Sequence, residues 1–163
     1  MSSRAERINR VHQALQQADV VFEARQLQDN TATSLLAAQA LGCRVAQIAK
    51  TIVFRCKQDN TAVVAVLCGD DRVDTAKLAT LAGGAVGKAD ADFVKQQCGF
   101  EIGGVAPLAY PQPLTVFLEN RLRRFDTIWA AAGSAYAVFG IAPDILQHAS
   151  GAPFADFSAP CAQ

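Results

Sequence analysis

Three short stretches carry groups able to do chemistry. The first is Lys50, set between Ala49 and Thr51 just ahead of the apolar run Ile52-Val53-Phe54. An ammonium among apolar neighbours is costly to bury alone, so an anion is expected to meet it. The same lysine can instead lay its stem along the core edge and keep its head in water. The second stretch is Gly103-Gly104-Val105-Ala106-Pro107. Two glycines ahead of a proline permit a tight loop with outward N–H groups, which can hold a carbonyl oxygen as it gains negative charge. An ordinary turn before a strand has the same composition. The third is Gly133-Ser134, between two apolar runs. Glycine there lets a ligand or another piece of chain approach the backbone, and the hydroxyl can bond it; a plain hairpin turn fits equally.

What is missing narrows the chemistry. No His/Asp pair accompanies Ser134, which removes a serine-hydrolase triad. The two histidines, His12 and His148, sit in helical patterns near the chain ends. The five cysteines, Cys43, Cys56, Cys68, Cys98 and Cys161, are odd in number and include no C-x-x-C pair. They read as reduced thiols, three of them core fillers, and the spacing of a zinc site is lacking. No metal and no cofactor is expected, and the nucleotide-binding patterns G-x-G-x-x-G and G-x-x-x-x-G-K-[ST] are absent from the sequence. Asp70, Asp71 and Asp74 read as helix-capping residues in solvent. Arg121, Arg123 and Arg124 form a basic patch that can meet RNA phosphates or simply face water.

The elements that must position these groups follow from pattern. Ser3-Arg4-Ala5-Glu6 is a capping box, and Ile8, Val11, Leu15 and Ala18 continue at helical spacing, giving a helix within residues 1–19. Val20–Leu27 alternates like a strand. Thr31–Leu41 is a helix with Thr31 or Thr33 as cap and Gly42 at its end. Ile52–Phe54 and Thr61–Cys68 form a buried hairpin across the turn Gln58-Asp59-Asn60. Asp74 caps a helix over Thr75–Leu81. Ala85–Lys88 is a short strand, and Asp90 or Asp92 caps Phe93–Cys98. Leu114–Leu118 is a strand, and Ile128–Ala132 and Ala135–Phe139 are two more that meet at Gly133-Ser134. Pro143 opens a helix over Asp144–His148. The Ala- and Pro-rich tail, within residues 150–163, is expected to pack loosely.

This irregular alternation points to a mixed α/β sheet in one domain spanning residues 1–163. A hydrophobic content of 51% and a charged content of 18% support an ordered core. A formal net charge of zero argues against a tight DNA or RNA binder, but not against an enzyme that touches one RNA end briefly. The polar N-terminus does not read as a signal segment, and Ile128–Ala142 is shorter than the ~20 residues of a membrane span. A soluble, cytoplasmic protein with no membrane partner is expected.

Taken in order, Gln47-Ile-Ala-Lys50-Thr51-Ile-Val-Phe54, Gly69-Asp70-Asp-Arg-Val73-Asp74-Thr-Ala-Lys77-Leu78, Gly103-Gly104-Val-Ala-Pro107-Leu108, and Thr115-Val-Phe117 with Ala131-Ala132-Gly133 resemble the YbaK/ProX-type prolyl-tRNA-editing family. These proteins are free-standing relatives of the editing domain inserted in bacterial prolyl-tRNA synthetase. The resemblance implies a barrel-like mixed α/β fold. It also implies hydrolysis of the ester between an amino acid and the terminal ribose of tRNA, assisted by a hydroxyl of that ribose. By the same resemblance Lys50 holds the phosphate of the 3′-terminal adenosine. Backbone N–H groups around Gly103 and Gly104 bind the carbonyl, and Thr51, Pro107, Gly133 and Ser134 shape the substrate site. The implied partners are the 3′ end of aminoacyl-tRNA and, as a candidate, prolyl-tRNA synthetase. The stretch Ala135-Tyr136-Ala137-Val138 is more apolar than in some members, so the amino-acid preference of the best-known members does not carry over; a small side chain such as Ala, Ser, Thr or Cys, held weakly, is expected. Two other readings stay open: a non-catalytic module that grips tRNA ends or a synthetase, and a Schiff-base enzyme acting through Lys50.

Overall fold

The stretch Ala62–Cys68 (β3) is buried at every position because it has a core on each face. With a side-chain period of two, Val64, Val66 and Cys68 enter the main core, while Val63, Ala65 and Leu67 enter a second one. That double burial is why the sequence is almost unbroken in apolar residues rather than alternating. Its partner Ala49–Cys56 (β2) runs antiparallel, with Lys50 opposite Leu67 and Thr51 opposite Val66, as the expected hairpin requires. The structure, a computed structural model, describes residues 2–160. Cys161 and the end of the tail lie outside the described residues.

The described residues form three sheets, and this hairpin lies in the largest. A five-stranded sheet has the order β5-β2-β3-β6-β9, with β5 Val86–Lys88, β6 Thr115–Glu119 and β9 Phe154–Ala155. Its β3–β6 and β6–β9 pairs are parallel. A three-stranded antiparallel sheet has the order β1-β8-β7, with β1 Glu23–Gln26, β7 Ile128–Ser134 and β8 Ala137–Ile141. Asp71–Val73 (β4) pairs with Ser158–Pro160 (β10). A parallel bridge from Ile48 to Trp129 joins the two larger sheets, and both pack on the main core. This is the barrel-like mixed α/β arrangement expected, left open rather than closed.

The helices start and stop where local chemistry dictates. α1 (Arg4–Gln17) is capped by the Ser3 hydroxyl, α2 (Ser34–Leu41) by Thr33, α3 (Thr75–Ala82) by Asp74 and α4 (Ala91–Cys98) by Asp90. Each capping oxygen accepts first-turn N–H groups that the helix cannot satisfy itself. α5 (Pro143–Ser150) begins on its proline. Among the described residues no helix is long and apolar enough to cross a membrane.

Three expectations need correction. The second hairpin does not turn at Gly133-Ser134: β7 runs through both residues, and the turn is Ala135-Tyr136. A bulge between Ala131 and Ser134 takes up the extra length. Within the described part of the tail, residues 151–160 are not loose. Phe157 is fully buried beside Leu78, and the buried Glu119 carboxylate accepts the N–H groups of Phe157 (2.6 Å) and Ser158 (2.7 Å). Asp71 is not in solvent but 2% exposed, because its Oδ2 accepts from Arg121 Nε at 2.6 Å. Asp74 alone of that acidic group caps α3.

Candidate active site

β2 pairs with β3 over residues 49–55, but its other edge does not stay covered. Strand β5 reaches only Phe54–Cys56, and the bridge to β7 is made at Ile48. Between them, along residues 49–53, no strand among the described residues pairs with that edge, and backbone N–H and C=O groups are left to face outward. A cavity of about 280 Å³ fills this gap. Lys50, Thr51, Gly103 and Ser134 all line it, as do Thr31 and Trp129. Residues far apart in sequence are thereby brought to one wall.

The Lys50 ammonium donates to the carbonyl of Gly69 at 3.3 Å and to the carbonyl of Asp71. Both carbonyls stand at the turn after β3. That turn is held in turn by packing. A Cβ on Gly69 would lie 2.5 Å from the Val45 carbonyl oxygen and 2.7 Å from Ser34 Cβ, so only glycine fits. The hydrogen bond that Arg121 donates to the Asp71 carboxylate raises the guanidinium pKa above its ordinary value. Arg121 pairs with Asp71, Arg123 pairs with the exposed Asp144, and Arg124 lies over Phe125.

The glycine loop divides into two roles. Gly103 lines the cavity with φ +94°, and a Cβ there would come 3.0 Å from Ala32 Cβ. Gly104 does not offer its N–H to a ligand: it donates to the Glu101 carbonyl at 2.9 Å and closes the turn. Its missing side chain matters instead, since a Cβ would stand 2.8 Å from Ser134 Cα. Pro107 is buried behind the loop and away from the cavity lining. Gly133, read as admitting a ligand or another piece of chain, admits helix α1: a Cβ would lie 2.8 Å from the Arg7 carbonyl oxygen. Ser134 keeps its place on the wall, where its Oγ accepts the Tyr136 N–H at 3.1 Å.

Two lining residues had only faint signals in the sequence. Thr31 leaves the helix cap to Thr33, the other candidate, and donates both N–H (2.8 Å) and Oγ1 (2.6 Å) to the Ala135 carbonyl at the hairpin tip. Trp129 is 8% exposed and carries Arg25 over its ring at 4.6 Å. Thr51 Oγ1 is buried with no hydrogen-bond partner among the described residues, an arrangement costly unless a ligand completes it.

Among the residues lining this cavity there is no histidine, cysteine, aspartate or glutamate. Nearby Cys68 is buried, and burial pushes its thiol pKa up, against the opposing hydrogen bond from Arg124. The described residues hold no group of three or more His, Cys, Asp or Glu placed to bind a metal ion. The wall therefore offers a positive charge, hydroxyls and backbone amides, with no side chain suited to general-base work at neutral pH. A second, more apolar cavity of about 350 Å³ adjoins it and shares Thr51, Ile102 and Gly103.

Comparison with known proteins gives a consistent picture. A family model described as the aminoacyl-tRNA editing domain matches residues 28–149. Uncharacterized protein YwhH of Bacillus subtilis (strain 168) is 30% identical over 128 residues, covering 78% of this chain and 81% of that protein. The crystal structure of a protein proposed to be a trans-editing enzyme for prolyl-tRNA synthetase superposes with a TM-score of 0.85 at 32% identity, covering 98% of this chain and 99% of that one. Hypothetical protein APE2540 superposes with a TM-score of 0.86 at 27% identity, covering 92% of this chain and 99% of that one.

Proposed function

The chain belongs to the aminoacyl-tRNA editing domain family, and from that premise we propose that it hydrolyses mischarged tRNA(Pro) carrying a small amino acid such as alanine, cysteine, serine or threonine. It is an aminoacyl-tRNA deacylase. The observation that carries the finer reading is the convergence of Lys50, Thr51, Gly103 and Ser134 on one cavity without a side-chain base.

Such a wall suits a substrate that brings its own assistance. A water oxygen forms the new bond to the ester carbonyl carbon. The bond from that carbon to the terminal ribose oxygen breaks, and the water's proton passes to the departing oxygen by way of the neighbouring ribose hydroxyl. Negative charge developing on the carbonyl oxygen is held by backbone N–H groups on the Gly103 side of the loop. Preorganised donors of this kind contribute about 3–4 kcal/mol each. Lys50, fixed by the carbonyls of Gly69 and Asp71, puts a positive charge at the wall to attract the terminal phosphate. The Thr51 hydroxyl is completed by a polar group of the substrate.

Selectivity for a small amino acid rests on shape. The lining combines Ala37, Ile48 and Val138 with the Trp129 ring, and one methylene changes binding by about 1–3 kcal/mol. A substrate of charged tRNA places the work in the cytoplasm, and the likeness to a protein proposed to act with prolyl-tRNA synthetase makes that synthetase the partner to try first. Deacylation of tRNA(Pro) charged separately with the four amino acids tests this reading. Turnover of at least one supports it, and turnover of none by folded protein refutes it.

A further inference from the structure

A cavity of about 650 Å³, larger than the lysine cavity, lies on the other side of the β7–β8 hairpin tip. Arg4, Asn9 and His12 of α1, Gln26 and Gln28 at the end of β1, and Tyr136 supply its polar lining. No carboxylate lines it, in a chain with 15 acidic residues. The Arg4 guanidinium stands over the Tyr136 ring, 4.9 Å from its centroid. Amide side chains offer donors and acceptors together, as the edges of nucleobases demand, and an aromatic ring with an arginine is a stacking platform for a flat base.

Position decides what such a groove is for. Ser134 lines the lysine cavity and Tyr136, two residues on, lines this one. The wall between them is a single turn, at most ~7 Å of chain. It is held rigidly: Leu27 N–H donates to the Tyr136 carbonyl at 2.8 Å, and Thr31 donates twice to the Ala135 carbonyl. A polymer with its terminal unit in the lysine cavity can reach this groove with its preceding unit by crossing this one turn.

We propose that this groove binds an unpaired nucleotide preceding the terminal adenosine of the substrate RNA, with its base on Tyr136, its edge read by Asn9, Gln26 and Gln28, and its phosphate beside Arg4. The proposal rests on the deacylase reading for the identity of the RNA. Such a contact anchors the substrate by its invariant end while leaving the small cavity to judge the amino acid. It also gives a protein of zero net charge a local, acid-free landing site.

The test measures fluorescence anisotropy of a labelled RNA hairpin with a four-nucleotide unpaired 3′ end, against wild type, Tyr136→Ala, Tyr136→Phe and Gln26→Ala. A second hairpin keeps only a single unpaired adenosine. The groove predicts that Tyr136→Ala weakens binding of the long overhang about ten-fold or more, that Tyr136→Phe stays within about two-fold of wild type, and that Gln26→Ala falls between. It also predicts that wild type binds the long overhang more tightly than the short one. Equal affinity for the two overhangs, equal affinity of wild type and Tyr136→Ala, or no binding by wild type overturns the proposal. Hydrolysis of alanyl-adenosine, which does not reach the groove, tests the deacylase reading separately in wild type.

Discussion

Replacing Gly104 by alanine probes the claim that the loop and the end of β7 form one catalytic wall. The new Cβ would lie 2.8 Å from Ser134 Cα and 3.0 Å from Ser134 N and C. These are backbone atoms, so no side chain can swing aside. Ordinary contact begins at 3.4 Å, and the loop and strand must part by about 0.6 Å. Overpacking of this kind costs about 1–3 kcal/mol, or a Tm lower by about 2–12 °C in a chain of this length. The larger effect falls on chemistry. The displaced atoms carry Gly103 and Ser134, both on the cavity wall, and a misplacement approaching 1 Å costs up to about 10²-fold in rate. Gly104→Ala is therefore expected to lower kcat/KM for mischarged tRNA by about 10- to 100-fold. Gly151→Ala is the control: at φ +71° it is strained by about 1–2 kcal/mol, yet nothing lies within 4 Å of its Cβ and it stands at the far end of α5. It should lose stability and keep activity. If Gly104→Ala deacylates no worse than Gly151→Ala, the wall is not a catalytic unit and the reasoning fails.

Further outcomes follow from the same geometry. Thr51→Val removes a buried hydroxyl that has no partner among the described residues; its Tm should hold or rise by a few degrees while kcat/KM falls about ten-fold, and an unchanged kcat/KM would show that the hydroxyl never meets substrate. Glu119→Ala leaves the N–H groups of Phe157 and Ser158 without their buried acceptor; thermal unfolding should show a loss of about 2–5 kcal/mol, and a loss under 1 kcal/mol would mean the C-terminal strands contribute little. Cys98, pushed up to about 11 by burial, is thiolate in only about one molecule in a thousand at pH 8. Burial raises Cys68 and Cys43 as well. Iodoacetamide at pH 7.5 should leave deacylation intact, and rapid inactivation would point to a thiol in the chemistry.

Local chemistry was legible in the sequence, and distant pairing was not. The caps Ser3, Thr33, Asp74 and Asp90 act within their own helices, so their oxygens could be read three or fewer residues from the N–H groups they bond. The unbroken apolar run of β3 announced its burial on two faces. Lys50 stood out because its charge had no local reason to be there. Two of its partners, the carbonyls of Gly69 and Asp71, carry no side-chain signature at all. Gly133 looked like a ligand-facing glycine because its true neighbour, Arg7, is 126 residues away. The tail looked loose because the residue that anchors it, Glu119, lies in a strand 38 residues earlier. Gly104 and Gly103 are indistinguishable as letters; only the fold commits one N–H to Glu101 and sets the other glycine against the cavity.

The central claim is that the Lys50 cavity deacylates mischarged tRNA. Its most direct test is deacylation of tRNA(Pro) charged with alanine, cysteine, serine or threonine by wild type and by Lys50→Ala, with Tm measured on both. The account predicts turnover of at least one substrate by wild type and a loss of about 10²-fold in kcat/KM for the variant, equivalent to about 2.7 kcal/mol, while the variant remains folded at the assay temperature. Hydrolysis of none of the four by folded wild type, or wild-type turnover by Lys50→Ala, would contradict it.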